Sequence, residues 1–230
     1  MTAPLVDPPA DALSPRAPRE RAKMYVQRKL LILVLLVPFF TVCYYLPQWL
    51  PLVPHTKIPL LAIDRAVPFQ PGWIWPYMSM YLLLPLPPVL SIRVDHLRRY
   101  SLGMALMFVT CCVFFFAYPI AYPRPELPAD ADWFYRYIAA IDQPINSLPS
   151  LHAGLTVYAL LYARRALADL GPRTLTPLLV LGWIWAVLIL YGTLATKQHY
   201  LVDLPAGAVV AWVAHWIAWR GADRPAPSPQ

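Results

Sequence analysis

Charge is scarce in this sequence. Lys, Arg, Asp and Glu make up 13% of its 230 residues, 59% are hydrophobic and the mean hydropathy is +0.48. So little charge cannot clothe a soluble domain of this length, which leaves a membrane as the solvent. Cysteine is scarce too: Cys43, Cys111 and Cys112 all fall inside apolar runs, without metal-ligand spacing. Neither a disulfide framework nor a zinc site is supported. The acidic residues form no cluster of the kind that holds magnesium, so no metal and no cofactor is expected. The formal charge of +7 sits in short basic groups beside apolar runs rather than along one interleaved face. That points to anionic lipid headgroups and away from nucleic acid.

What the chain has in quantity is apolar runs: Leu30 to Leu50, Trp73 to Ile92, Ser101 to Ile120, Pro149 to Leu167, Leu178 to Ala195 and Tyr200 to Trp219. Each is near the ~20 residues of a spanning helix, so the expected fold is all-α, a six-transmembrane-helix bundle. Prolines at 38, 47, 76, 85, 87, 88 and 205 lie in or at the ends of these runs and are expected to kink the helices rather than break them. Residues 1–27 read as a disordered cytoplasmic tail, 28–220 as one membrane-embedded domain and 221–230 as a cytoplasmic C-terminal tail. The first run begins far from the N-terminus and has no small-residue cleavage site after it, so it reads as a retained anchor. Lys and Arg cluster before the first run and after the second, fourth and sixth, which makes both termini cytoplasmic. Residues 51–72, 121–148 and 196–199 are then outside.

The loop between the third and fourth runs holds Arg124 between two prolines, followed by Trp133, Phe134, Tyr137, Ile138 and Ile141 at helical spacing. An interfacial helix is expected there. Arg124 is a candidate for gripping phosphate through its planar donor fork, or else a contact to lipid headgroups.

Two motifs at the outer ends of apolar runs carry histidine. In Ser147-Leu148-Pro149-Ser150-Leu151-His152, Pro149 suits the first position of a helix, with Ser147 or Leu148 as its cap. The amides of Ser150, Leu151 and His152, with the Ser150 hydroxyl, would then form an anion site, and His152 could protonate a leaving oxygen. The plainer reading is helix capping alone. In Lys197-Gln198-His199-Tyr200-Leu201-Val202-Asp203, the carboxylate lies four residues after the imidazole, on one helical face. Asp203 can take the Nδ1 proton of His199 and leave the other nitrogen as a nucleophile, or it merely caps a helix ahead of Pro205. Lys197 and the Tyr200 hydroxyl are further candidates for a phosphate shell. Gly192 and Gly207 suit close helix packing, and His215 reads as a hydrogen-bonded packing residue. A transporter or passive scaffold is the reading of another class. It calls for ionisable groups along the spans, whose middles are almost free of charge here.

Arg124-Pro125, Pro149-Ser150-Leu151-His152 and His199 with Asp203, on six spans, resemble the type-2 phosphatidic acid phosphatase superfamily, which shares its site with vanadium haloperoxidases. The family motifs run Lys-x6-Arg-Pro, Pro-Ser-Gly-His and Ser-Arg-x5-His-x3-Asp. Here Ala117 stands at the Lys position, Leu151 at the Gly, and Gly192-Thr193 at the Ser-Arg pair. These departures, with the stretch from Asp64 to Tyr77, look like the inositol-phosphotransferase and sphingolipid-synthase branch. The resemblance implies a metal-independent membrane enzyme acting on a phospholipid or isoprenoid phosphate through a phosphohistidine, in a bacterial inner membrane with its site facing the periplasm. His199, Asp203 and His152 would be catalytic, with Arg124, Ser150, Leu151, Lys197 and Tyr200 around the phosphate. Water as acceptor would make it a phosphatase; a lipid alcohol would make it a headgroup transferase.

Overall fold

The computed structural model describes residues 18–220 except 92, 129 and 130. Of the expected tails, residues 1–17 of the N-terminal one (1–27) and all of the C-terminal one (221–230) lie outside the described residues. The architecture is helical: α1 (Pro18–Trp49), α2 (Ala62–Ala66), α3 (Ile74–Met78), α4 (Met80–Leu83), α5 (Leu86–Leu90), α6 (Val94–Ala117), α7 (Trp133–Ile141), α8 (Leu151–Ala166), α9 (Pro172–Ala195) and α10 (Asp203–Trp219). One departure from all-α is a parallel pair of two-residue strands, β1 (Thr56–Lys57) and β2 (Ile120–Ala121).

Among the described residues three helical segments are long and apolar enough to cross a membrane: Val26–Trp49, Val94–Ala117 and Pro172–Ala195. Their outward side chains, among them Val34, Val113 and Leu181, are exposed and apolar, as a lipid-facing surface requires. Helix α1 starts at Pro18 and runs through Pro38 and Pro47, which do not break it, as expected. The run from Trp73, by contrast, is not one kinked helix but the three short helices α3, α4 and α5. Pro76, Pro85, Pro87 and Pro88 remove four backbone donors from that short interval, more than its helical ladder can lose and stay continuous.

Helix α8 forms the centre, with α10, α9, α6, α5 and α4 packed around it. Most of its residues are buried, including Tyr158 and Tyr162. It meets α10 at two glycines. A Cβ on Gly207 would lie 2.1 Å from the Ser150 carbonyl oxygen, and one on Gly154 would lie 3.1 Å from the Gly207 carbonyl oxygen. That approach brings the starts of α8 and α10 to one end of the bundle. Gly192 plays the same part between α9 and α3, where a Cβ would lie 3.1 Å from the Tyr77 nitrogen. Helix α7 forms in the loop where a helix is expected, but its faces divide differently. Tyr135 and Ile138 point into the protein, and Trp133, Tyr137 and Ile141 point out.

Candidate active site

The start of α8 carries the first histidine, and here the capping expectation is corrected. The cap is Ser150, not Ser147 or Leu148, and Pro149 precedes the helix. The Ser150 hydroxyl oxygen accepts from the Ala153 amide at 3.2 Å, and the Ser150 amide donates to the Asp203 carbonyl at 3.1 Å. Of the three amides expected to bind an anion, the Ser150 amide is therefore engaged. Those of Leu151 and His152 open the helix and have no acceptor within it. The Leu151 side chain is core.

The second histidine sits on the turn between α9 and α10. Lys197 adopts a left-handed backbone with φ of 55°, which folds the chain so that the amides of Gln198 and His199 both donate to the Thr193 carbonyl at 3.2 Å. Asp203 is buried at the start of α10. Its carboxylate accepts from the Tyr122 hydroxyl at 2.9 Å and the Tyr200 amide at 3.0 Å, and lies 3.5 Å from His199 Nδ1. The nearer partner of that nitrogen is the Ser147 carbonyl oxygen at 3.1 Å. A carbonyl and a carboxylate only accept, so Nδ1 carries the proton and the Nε2 lone pair is left available. Asp203 thus acts beside a backbone acceptor that the sequence does not reveal.

The two imidazoles converge, with ring centroids 5.6 Å apart. His152 stacks on Tyr77 with centroids 4.2 Å apart, its Nδ1 is 3.2 Å from the Tyr77 hydroxyl, and its buried Nε2 has no hydrogen-bond partner among the described residues. Tyr77 is held there by the close approach of α3 to Gly192. In the resemblance Gly192 stands where the family has serine. Here that space admits the α3 backbone instead.

His152 opens on a cavity of about 260 Å³ walled by Tyr44, Tyr77, Tyr81, Phe134 and Asp142. Sequence reasoning misses Asp142. Its carboxylate accepts from the Tyr44 hydroxyl at 2.8 Å, and burial pushes its pKa above the usual carboxylate range, against the pull of the Arg124 guanidinium. A signal exists, in an acid closing a strongly amphipathic helix, but nothing in the sequence shows that the chain there turns inward.

Arg124 joins this wall. Its Nη1 donates to the Asp142 carbonyl at 2.5 Å and its Nη2 to the Gln198 side chain at 2.7 Å, while its Nε is buried and has no partner among the described residues. The fork expected to hold phosphate is therefore engaged between the end of α7 and the His199 turn, with Nε–H the donor left over. Lys197 and Tyr200 are not brought to the imidazole pair. Lys197 Nζ donates to the carbonyls of Asp64 at 2.7 Å and Val67 at 2.6 Å, and burial lowers its pKa. The Tyr200 hydroxyl donates to the Pro123 carbonyl at 2.7 Å, one residue before Arg124. Both fasten loops, the first through the turn after α2 and the second through the Arg124 segment.

No group of three or more His, Cys, Asp or Glu is placed to hold a metal among the described residues. Neither a curated protein sequence nor a solved structure matches the chain. The PAP2 superfamily model, however, matches residues 99–225, more than half of the chain and the stretch that carries Arg124, His152, His199 and Asp203, and the chain belongs to that superfamily.

Proposed function

We propose that this protein is an integral membrane lipid-phosphate phosphatase or phosphotransferase that cleaves a phosphate ester through a phosphohistidine on His199, without a metal. Membership of the PAP2 superfamily supports a phosphatase- or phosphotransferase-type activity. The observation that carries the mechanism is the imidazole pair. Two rings lie 5.6 Å apart with His199 Nε2 available and His152 Nε2 unpartnered beside a cavity.

In the first half-reaction the His199 Nε2 lone pair forms a bond to phosphorus as the bond to the leaving oxygen breaks. His152, as imidazolium, delivers its Nε2 proton to that oxygen while Nδ1–H rests on the Tyr77 oxygen. An unpaired charge is costly at so dry a position, so the imidazolium forms with the phosphate anion bound beside it. In the second half-reaction water or an alcohol attacks the phosphohistidine and gives its proton to His152. The nitrogen–phosphorus bond then breaks and returns the lone pair to His199. The amides of Leu151 and His152, the Ser150 hydroxyl and Arg124 Nε–H meet charge on the equatorial oxygens.

The substrate class is a lipid phosphate, phospholipid or isoprenoid. The catalytic cavity meets a second cavity of about 240 Å³ at Phe40 and Tyr81, walled almost wholly by apolar side chains such as Leu36, Met104 and Leu155. A hydrocarbon chain suits that slot. A six-span arrangement follows if α3 to α5 together, α8 and α10 also cross, with both termini cytoplasmic, α7 lying at the outer interface and the site facing the periplasm of a bacterial inner membrane. The basic groups flanking the runs support that sidedness.

Transfer to a lipid alcohol, as in the inositol-phosphotransferase branch, is favoured by Asp142. A carboxyl whose pKa is raised, in an aromatic cavity, suits an acceptor hydroxyl better than bulk water. The deciding experiment incubates purified protein with EDTA and either short-chain phosphatidic acid or a phosphodiester lipid plus diacylglycerol. Free phosphate from the first indicates the phosphatase, and a new headgroup lipid from the second indicates the transferase. Turnover of neither, or turnover that survives His199→Ala, contradicts the proposal.

A further inference from the structure

The apolar slot that meets the catalytic cavity at Phe40 and Tyr81 has a definite far end. Its lining runs from Phe40 back to Lys29 on α1 and from Phe108 back to Leu97 on α6. At 1.5 Å per residue that is a depth of roughly 16 Å. At the far end the Lys29 ammonium, itself part of the lining, donates to the Val89 carbonyl oxygen and bridges α1 to α5. Among the described residues every other lining group is apolar or a tyrosine.

Hydrocarbon can fill such a space but stops at the ammonium, because a methyl terminus pressed against it would strip the charge of water. The depth agrees with the ~15 Å that one leaflet contributes to a hydrocarbon core of ~30 Å. A volume of about 240 Å³ drawn out over that depth holds one chain, not two. The inner wall is fixed, since Leu97, Met104, Phe108 and Leu155 are all buried in close packing. It cannot readily widen for a chain that bears side methyls.

We propose that this slot takes a single unbranched chain of the substrate lipid and that the Lys29–Val89 bridge sets the length of chain it accepts. This rests on the reading of His199 and His152 as the phosphate site, where the headgroup anchors the chain. Lys29 at the far end and Leu36 part-way along α1 are then specificity-determining residues, although neither lines the catalytic cavity.

The test is thermal unfolding of the full chain in detergent with straight-chain alkyl phosphonates from hexyl to octadecyl, which carry a phosphate-like anion but no ester to cleave. The rise in Tm should grow with chain length and level off between dodecyl and tetradecyl. Leu36→Trp fills the slot part-way and should bring the plateau to chains several carbons shorter. Lys29→Met removes the charged end and should let the gain continue to octadecyl. Partition of the phosphonates into micelles is common to all three proteins, so differences among them belong to the slot. A plateau at the same length in all three overturns the proposal. So does a larger shift from farnesyl phosphonate than from dodecyl phosphonate, whose main chains match in length. Should Leu36→Trp fold poorly, Lys29→Met decides. Turnover is read separately. A parent that cleaves no lipid phosphate, yet shows plateaus that move with the variants, refutes the catalytic reading and keeps the chain slot; unmoved plateaus in an active enzyme refute the slot alone.

Discussion

His199 owes its free nitrogen to two acceptors on the other one, the Ser147 carbonyl at 3.1 Å and the Asp203 carboxylate at 3.5 Å. The backbone acceptor survives any side-chain change, so Asp203→Asn keeps the tautomer and loses only the stabilisation of charge on the ring. Turnover should fall on the order of 10–100-fold, the size of effect expected when an oriented histidine loses its outer partner, and far less than in His199→Ala. The same variant sets an amide against the Tyr122 hydroxyl and the Tyr200 amide, both donors to Asp203, so a loss of stability of about 1–3 kcal/mol should accompany it in thermal unfolding. Asp142 gives a pH signature. Its pKa is raised in the folded state, so the native protein binds the extra proton. Stability from this group is therefore full below the ordinary carboxylate value of ~3.9 and declines as pH rises from there to the raised value. Tm measured across that window for the native chain and Asp142→Asn should show the native advantage shrinking with pH; a constant difference contradicts the shift. At this scale His152, His199 and Asp203 are legible because each lies in a short motif whose spacing survives folding. Ser147, Tyr77 and Asp142 are not, since they reach the site through tertiary contacts, one of them by its backbone alone.

At the scale of elements, the geometry depends on how closely α8 and α10 approach. A methyl on Gly207 would meet the Ser150 carbonyl at 2.1 Å, backbone against backbone, so Gly207→Ala must push the two helix starts apart. Overpacking of this kind costs about 1–3 kcal/mol, and it should lower turnover as well because His152 rides on one helix and the Asp203 turn on the other. Gly72, where an added methyl would meet nothing within 4 Å, supplies the control: Gly72→Ala should change neither Tm nor rate. Equal behaviour of the two variants would contradict the packing account. The long apolar runs are readable from composition, but the fate of the prolines is not. Pro38 and Pro47 sit in α1 without breaking it, because they are spaced far apart and neighbouring turns keep their bonds. The crowded prolines of residues 76–88 divide their run, and that division sets Tyr77 and Tyr81 on separate short helices around the cavity.

For the whole molecule, one bundle end collects the groups for chemistry and the other collects arginine and tryptophan, with an apolar slot leading inward from the first. Low charge and long runs announce the membrane, and the basic flanks imply an orientation. What sequence does not supply is depth: α8 and α10, at 16 and 17 residues, are about 24–26 Å long against a hydrocarbon core of ~30 Å. The central claim, that His199 becomes covalently phosphorylated, is tested most directly by mixing the enzyme with lipid phosphate, quenching with alkali during turnover and mapping the adduct by peptide mass. A phosphate on the peptide containing His199, absent from His199→Ala, is the predicted result. Steady turnover with that peptide unmodified at every quench time would contradict it.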